Sequence, residues 1–158
     1  MKDTSRDGQT RRQFCGQAVS LALVSGALGT ILDGCSSSPT SPSNASQLPV
    51  ANGTSANGGV TVAVDSSSPL SSVGSMALVQ SPAGDFLVAH TAQSSFVALS
   101  AICTHQTCVI TGFASQTYVC PCHGSTFDIS GRVLGGPAPA SLRQFQTAFA
   151  GNVLTITA

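Results

Sequence analysis

The amino-acid sequence predicts an all-β domain over residues 59–158. After residue 59, short runs rich in Val, Ile, Thr and Phe alternate with Gly, Pro, Asn and Ser, a pattern typical of strands joined by turns. No stretch after residue 36 has the periodicity of an amphipathic helix. The predicted strands are Val60–Val64, Met76–Gln80, Asp85–Thr91, Phe96–Ile102, Val109–Gly112, Thr117–Cys120, Thr126–Ile129, Leu142–Phe149 and Val153–Thr157.

A targeting segment is predicted over residues 1–35. Its charged start leads into Arg11-Arg12 and Phe14, and residues 13–32 contain no charge. Paired arginines ahead of a phenylalanine resemble the twin-arginine export signal. The alternative is an ordinary secretory leader in which the arginine pair occurs by chance.

The end of the targeting segment leaves three outcomes open. Residues 13–32 are close to the length of a single membrane span, so the segment could be kept as an anchor. Leu32-Asp33-Gly34-Cys35 resembles a lipoprotein cleavage box, in which Cys35 would carry the lipid. Cleavage and simple release is the third outcome. The first two outcomes attach the protein to a membrane through its N-terminus.

Residues 36–58 predict a flexible linker. Ser, Pro, Asn, Gly and Thr dominate this stretch, which therefore has little apolar surface to bury. A coil of this length has a root-mean-square span of roughly 27 Å. Such a tether suits either a mobile hinge or a passive spacer.

The distribution of charge excludes nucleic-acid binding as a function. Charged residues make up 8 % of the chain, and its formal net charge is zero. Four of the six basic residues precede residue 13, so the folded domain has no basic surface that could follow a phosphate backbone.

Two short loops hold four of the six cysteines and two of the three histidines within 21 residues. The first loop reads Cys-Thr-His-Gln-Thr-Cys over residues 103–108, and the second reads Cys-Pro-Cys-His-Gly-Ser over residues 120–125. Thiolates and imidazoles at such spacing are typical ligands of a soft metal centre. A structural zinc site and a pair of plain disulfides are alternatives, although four-ligand zinc would leave two cysteines unexplained.

These loops resemble the two cluster-binding boxes of Rieske iron–sulfur proteins. In that family one iron is held by two cysteines and the other iron by two histidines. By motif position, the resemblance implies one [2Fe-2S] cluster, with Cys103 and Cys120 on one iron and His105 and His123 on the other.

The resemblance also implies a disulfide between Cys108 and Cys122. That pair is typical of the disulfide-containing, quinol-oxidising branch of the family and is usually absent from Rieske ferredoxins and ring-hydroxylating dioxygenases. The proline loop that covers the cluster in the family is matched by Gly136, Pro137 and Pro139. The implied fold is a Rieske-type antiparallel β-sandwich, with a small cluster-binding subdomain over about residues 101–140.

Three further positions bear on the reduction potential, because hydrogen bonds to cluster sulfurs tune it. Ser125 matches the serine that donates a hydrogen bond to a bridging sulfide. Phe127 stands where high-potential members carry a tyrosine that donates to a cysteine sulfur, and Gln106 replaces a leucine found in many quinol-oxidising members. We therefore expect a potential below that of members with both the serine and the tyrosine.

The function implied by the resemblance is one-electron transfer without an independent catalytic site. One candidate is the iron–sulfur subunit of a membrane quinol–cytochrome c type oxidoreductase, with cytochrome b and cytochrome c as redox partners and quinol as the electron source. The alternative is a stand-alone or oxidase-associated carrier without quinol chemistry, such as the small subunit of a molybdenum oxidase, whose partner is the oxidase large subunit. Either protein would work at the periplasmic face of the cytoplasmic membrane after twin-arginine export.

Overall fold

The computed structural model describes residues 45–56 and 58–157, and these residues contain strands but no helix. A helix able to cross a membrane is accordingly not found in the two described ranges. The predicted targeting segment with Cys35 and residues 36–44 of the predicted linker lie outside them. The strands are β1 (Ser46–Gln47), β2 (Val50–Asn52), β3 (Thr54–Ala56), β4 (Gly59–Ala63), β5 (Met76–Ser81), β6 (Gly84–Ala92), β7 (Ser95–Ser100), β8 (Gly112–Ala114), β9 (Thr117–Val119), β10 (Thr126–Asp128), β11 (Val133–Gly135), β12 (Gln144–Ala150) and β13 (Val153–Thr157).

The strands form two sheets. The small sheet has the order β1-β8-β9-β10-β11, and the large sheet has the order β2-β5-β6-β7-β12-β13-β4-β3. Every pairing is antiparallel except that of β2 with β5. The prediction of an all-β, antiparallel fold is therefore confirmed. The second Cys/His loop connects β9 to β10, so the small sheet carries that loop.

Three strands of the large sheet, β5, β6 and β7, are buried on both faces. Along β5 and β6, successive side chains point to opposite faces, yet both sets are buried. One face packs in a core that also contains residues of the small sheet and of the Cys/His loops, which we call the site core; it includes Leu78, Leu87, Leu99, Tyr118, Phe127, Cys103 and Cys120. The other face packs in a second core, the sheet core, which includes Val60, Val62, Val79, Val88, Leu154 and Ile156.

Eight of the nine predicted strands match observed strands, with ends that differ by up to two residues. The prediction of a strand over Val109–Gly112 is wrong in its placement. Val109 forms only an isolated bridge with Ile102, and the strand begins at Gly112. The backbone here closes the first Cys/His loop, because the Cys103 N–H donates to the Cys108 carbonyl over 2.9 Å. Strand β11 is not among the predicted strands; its three residues, Val133–Gly135, include no fully buried side chain and end in a glycine.

The structure places the start of the folded domain before residue 59. Residues 45–56, predicted as linker, form β1, β2 and β3, which pair with β8, β5 and β4. Only Leu48 and Ala51 of this segment are buried. Backbone hydrogen bonds hold the segment while its polar side chains face solvent. Its composition is therefore the same as that of a flexible linker, although it forms strands. Leu48 is the side chain that anchors it in the site core.

We expect Leu48→Ala to lower the free energy of unfolding by about 2–5 kcal/mol, the usual cost of emptying a buried leucine site. Denaturant titration of the full chain measures the change. Val50→Ala is the matched control in the same segment, because Val50 is 51 % exposed and its truncation should cost less than about 0.5 kcal/mol. Equal effects of the two substitutions would contradict the packing of this segment onto the domain.

Candidate metal centre

The two Cys/His loops bring a pair of free thiols together at the edge of the site core. Cys103 and Cys120 are both unoxidised and buried. Burial raises the pKa of the Cys120 thiol, and the adjacent Cys103 thiol raises it further, against the backbone N–H groups of Cys122 and His123, which lower it. The Cys120 thiol is therefore costly to ionise without a cation nearby. A bound metal ion reverses this preference, since a coordinated thiol is deprotonated.

The two histidines of the loops also meet. The rings of His105 and His123 are 4.7 Å apart between centroids and stand edge to face at 86°. His123 is exposed and His105 is half-buried. The Nδ1 atom of His105 is buried and has no hydrogen-bond partner among the described residues. An unpartnered imidazole nitrogen beside a second imidazole is a donor suited to a transition metal.

A disulfide joins the remaining two cysteines of the loops. Cys108 and Cys122 are bonded, with their Cα atoms 6.5 Å apart, which confirms the predicted pairing. The bridge closes a 15-residue loop, worth about 3 kcal/mol in the chain-entropy model. Three sulfurs, those of Cys108, Cys120 and Cys122, lie within 4.8 Å of one another. Two of these sulfurs are consumed by the bridge, so Cys103 and Cys120 are the free thiols of the two loops.

The second loop is tightened by its own backbone. The Cys120 N–H donates to the Ser125 carbonyl over 2.8 Å, and the Gly124 N–H donates to the Cys120 carbonyl over 3.0 Å. Gly124 has a φ of +70°, a conformation that glycine adopts without steric cost. The loop therefore turns back within six residues and delivers His123 beside the first loop.

The predicted proline loop contacts both Cys/His loops. The Ala138 N–H donates to Ser125 Oγ over 3.2 Å, and Thr104 Oγ1 donates to the Ala140 carbonyl over 2.6 Å. Pro137 and Pro139 on either side of Ala138 are exposed, whereas Ala138 is buried. The loop thus covers the Cys/His loops through its backbone and leaves its prolines facing solvent.

Gly136 makes this cover possible. A Cβ atom at Gly136 would lie 2.5 Å from the Ser125 Cα and 2.9 Å from the Ser125 nitrogen, and its φ is +87°. No side chain fits between these backbones. The predicted role of Gly136 in the loop therefore has a steric basis.

The three predicted tuning residues occupy different environments. Ser125 and Phe127 are fully buried, and Phe127 lies in the site core. Gln106 is exposed, and its carbonyl accepts a hydrogen bond of 2.6 Å from the Cys108 N–H. The side chain of Gln106 thus lies at the surface of the first loop, as expected of a polar replacement for leucine.

Sequence reasoning missed two residues at this centre. Thr104 ties the first loop to the proline loop, and a hydroxyl between two candidate ligands was the available signal. Tyr118 is buried in the site core, and its hydroxyl has no hydrogen-bond partner among the described residues. Tyr118 precedes Cys120 by two residues, and side chains two apart in a strand lie on the same face. This spacing was the available signal for Tyr118. Burial raises the pKa of Tyr118, so its hydroxyl stays protonated.

Two thiols, two imidazoles and a bracing disulfide are thus assembled at one end of the small sheet. A family model for the Rieske [2Fe-2S] domain matches residues 60–146, more than half of the chain. The chain belongs to the Rieske [2Fe-2S] domain family. Its cofactor is one [2Fe-2S] cluster, and the donor set described above fits that group. The zinc and two-disulfide alternatives are set aside.

Relatives of this Rieske domain include iron–sulfur subunits of cytochrome b6-f complexes. The chain is 43 % identical over 74 residues to the cytochrome b6-f complex iron–sulfur subunit of Synechococcus elongatus, covering 44 % of this chain and 41 % of the relative. It is 34 % identical over 64 residues to the corresponding subunit of Chlorobaculum thiosulfatiphilum, covering 40 % of this chain and 35 % of the relative. The chain thus matches about two fifths of the length of these relatives.

A solved structure supports the fold of the Rieske domain. The plasma membrane Rieske protein PetC3 of Synechocystis is 32 % identical and superimposes with a TM-score of 0.51, covering 61 % of this chain and 99 % of that one. The predicted Rieske-type sandwich is confirmed by this match.

We expect Gly136→Ala to weaken both the fold and cluster retention, because the added methyl group collides with the Ser125 backbone. Gly151→Ala is the matched control: Gly151 also has a positive φ, of +57°, but open space around its Cβ position. The control should cost about 1–3 kcal/mol of backbone strain and keep its iron. Iron per chain and denaturant titration measure both effects. Equal iron content in the two variants would contradict the steric role of Gly136.

Proposed function

We propose that this protein is a one-electron carrier and the iron–sulfur subunit of a membrane complex that oxidises quinol and reduces a cytochrome. The observation that carries the proposal is the Cys108–Cys122 disulfide, which the resemblance associates with the quinol-oxidising branch. Similarity to cytochrome b6-f iron–sulfur subunits supports it. The proposed location is the outer face of the cytoplasmic membrane, after twin-arginine export, with attachment through an uncleaved anchor or a lipid on Cys35.

The proposed ligands are Cys103 and Cys120 for one iron, and His105 and His123 for the other. The asymmetry of burial supports this assignment. The two thiols are no more than 4 % exposed, whereas His123 is exposed and His105 is half-buried. A partner would therefore approach from the histidine side, and the thiolate side would remain screened from water.

When bound, the cluster supplies a one-electron acceptor that is neutral in its oxidised form. Two ferric ions and two sulfides carry a charge of plus two in total, and two thiolates with two neutral imidazoles cancel it. Four thiolates would leave a charge of minus two, which opposes the addition of an electron. Rieske centres accordingly have potentials of about −150 to +300 mV, compared with about −400 mV for plant-type ferredoxins.

The histidines would also handle a proton. An imidazole that binds metal through one ring nitrogen keeps the other nitrogen for a proton. The buried, unpartnered Nδ1 of His105 suits the metal-facing role, which would leave Nε2 for a hydrogen bond with a substrate or partner. Quinol oxidation releases protons as well as electrons, so a ligand that can accept a proton suits a quinol donor.

A second candidate function is an oxidase-associated carrier without quinol chemistry, such as the small subunit of a molybdenum oxidase. Phe127 and Gln106 favour it, because both depart from residues common in quinol-oxidising members. Phe127 has no hydroxyl to donate to the proposed cluster, unlike the tyrosine of high-potential members at this position. The exposed side chain of Gln106 makes the rim of the first loop more polar.

The two candidates differ in the partner that purifies with the full-length chain. We expect the sample purified through this chain from its own membranes in mild detergent to show haem b and haem c absorbance. A reduced quinol analogue should then reduce the iron–sulfur centre, and the oxidised quinone serves as the control. A molybdenum-containing partner without quinol-dependent reduction would select the second candidate instead.

We expect Phe127→Tyr to raise the reduction potential, because it adds a hydroxyl at the position where the family's tyrosine donates to a cysteine sulfur. A tenfold change in the equilibrium constant for reduction corresponds to about 59 mV for a one-electron couple, and we expect a rise of up to about that size. Potentiometric titration followed by visible circular dichroism measures it. A potential equal to that of the parent would refute the argument from the missing hydroxyl.

A further inference from the structure

The Tyr118 hydroxyl is a buried polar group without a protein partner. Tyr118 has no exposed surface, and its oxygen has no hydrogen-bond partner among the described residues. Leaving a buried hydroxyl unpaired costs about 1–3 kcal/mol. Tyr118 is also the only tyrosine of the chain. Its hydroxyl therefore needs an acceptor that is not among the protein atoms described.

The position of Tyr118 in the small sheet points to where that acceptor lies. Tyr118 on β9 is directly opposite Phe127 on β10, and side chains opposite each other in an antiparallel pair share one face. Cys120 follows Tyr118 by two residues, and Ser125 precedes Phe127 by two. Cys120 and Ser125 lie just beyond the ends of the two strands, where the Cys120 N–H donates to the Ser125 carbonyl, and Tyr118, Phe127 and Cys120 all belong to the site core.

The surroundings of Tyr118 leave little to bind a buried water. Tyr118 belongs to the site core, whose other buried members are apolar side chains together with Cys103 and Cys120. Among the described residues, only His90 and Ser125 are buried polar side chains, and His90 is not part of the site core. A buried water needs two to four polar partners. Once the cluster is bound, the hydrogen-bond acceptors that it adds to this core are sulfur atoms.

We propose that the Tyr118 hydroxyl donates a hydrogen bond to a sulfur of the bound cluster, and so supplies from β9 the donor that Phe127 cannot supply from β10. The resemblance implies a tyrosine at position 127, whereas the tyrosine of this chain stands on the opposite strand of the same cross-strand pair. The hydrogen bond stabilises the reduced form more than the oxidised form, because reduction adds negative charge to the acceptor. The inference rests on the cofactor of the family and not on the identity of the quinol or cytochrome partner.

Three variants of the full-length, cluster-loaded chain test the proposal through the reduction potential. Tyr118→Phe removes only the hydroxyl, and we expect the equilibrium constant for reduction to fall about tenfold, or about 59 mV for one electron. Phe127→Tyr adds a donor on the opposite strand. The double variant, Tyr118→Phe with Phe127→Tyr, should return towards the potential of the parent. A purely structural effect of Tyr118 would lower the potential without making the tyrosine vibration depend on the redox state.

The sole tyrosine provides a second readout. Ultraviolet resonance Raman spectra of the parent, with Tyr118→Phe as the blank, isolate the tyrosine signal, and we expect it to shift when the protein is reduced. This shift decides the matter even if Tyr118→Phe binds less cluster. An unchanged potential in Tyr118→Phe, or a tyrosine signal that is the same in the oxidised and the reduced protein, would overturn the proposal. Neither measurement involves quinol, so neither result bears on the proposal that quinol is the electron donor.

Discussion

The structure depends on one constraint: two short loops, far from rigid by themselves, must hold their cysteines and histidines against one another. The Cys108–Cys122 bridge enforces this covalently. The proline loop adds two hydrogen bonds, one to each loop, through Thr104 and Ser125. A donor set fixed in this way loses little conformational entropy when it binds metal ions, which is the physical advantage of building it in advance.

The rest of the domain serves this constraint by supplying a core on which the loops rest. Strands β5, β6 and β7 of the large sheet are buried on both faces, so they form a stable platform in a domain with few charges. The face of the large sheet that lies in the site core encloses Cys103 and Cys120 together with the small sheet. These two thiols are therefore shielded from water. His105 and His123 lie towards the surface. Burial on one side and access on the other is the arrangement that a carrier needs to exchange electrons with a partner.

Much of this centre could be predicted from sequence, because the two Cys/His boxes and the glycine–proline loop are local motifs whose residue types are dictated by ligand chemistry. The all-β fold and most strands were also predictable, since alternation and turn residues mark them. Strands β1 to β3 were not, because most of their side chains face solvent and, apart from Ala51 and the neighbouring Leu48, backbone pairing holds them. The opposition of Tyr118 and Phe127 was hidden for a related reason: cross-strand register becomes visible only when the hairpin is formed.

The central claim is that one iron is bound by two thiolates and the other by two imidazoles. Low-temperature electron paramagnetic resonance of the dithionite-reduced, full-length protein tests it most directly. With two imidazole ligands on one iron, we expect an average g value clearly below that of all-thiolate [2Fe-2S] ferredoxins, together with nitrogen couplings from two imidazoles in pulsed spectra. An average g value equal to that of all-thiolate ferredoxins, without nitrogen couplings, would contradict it.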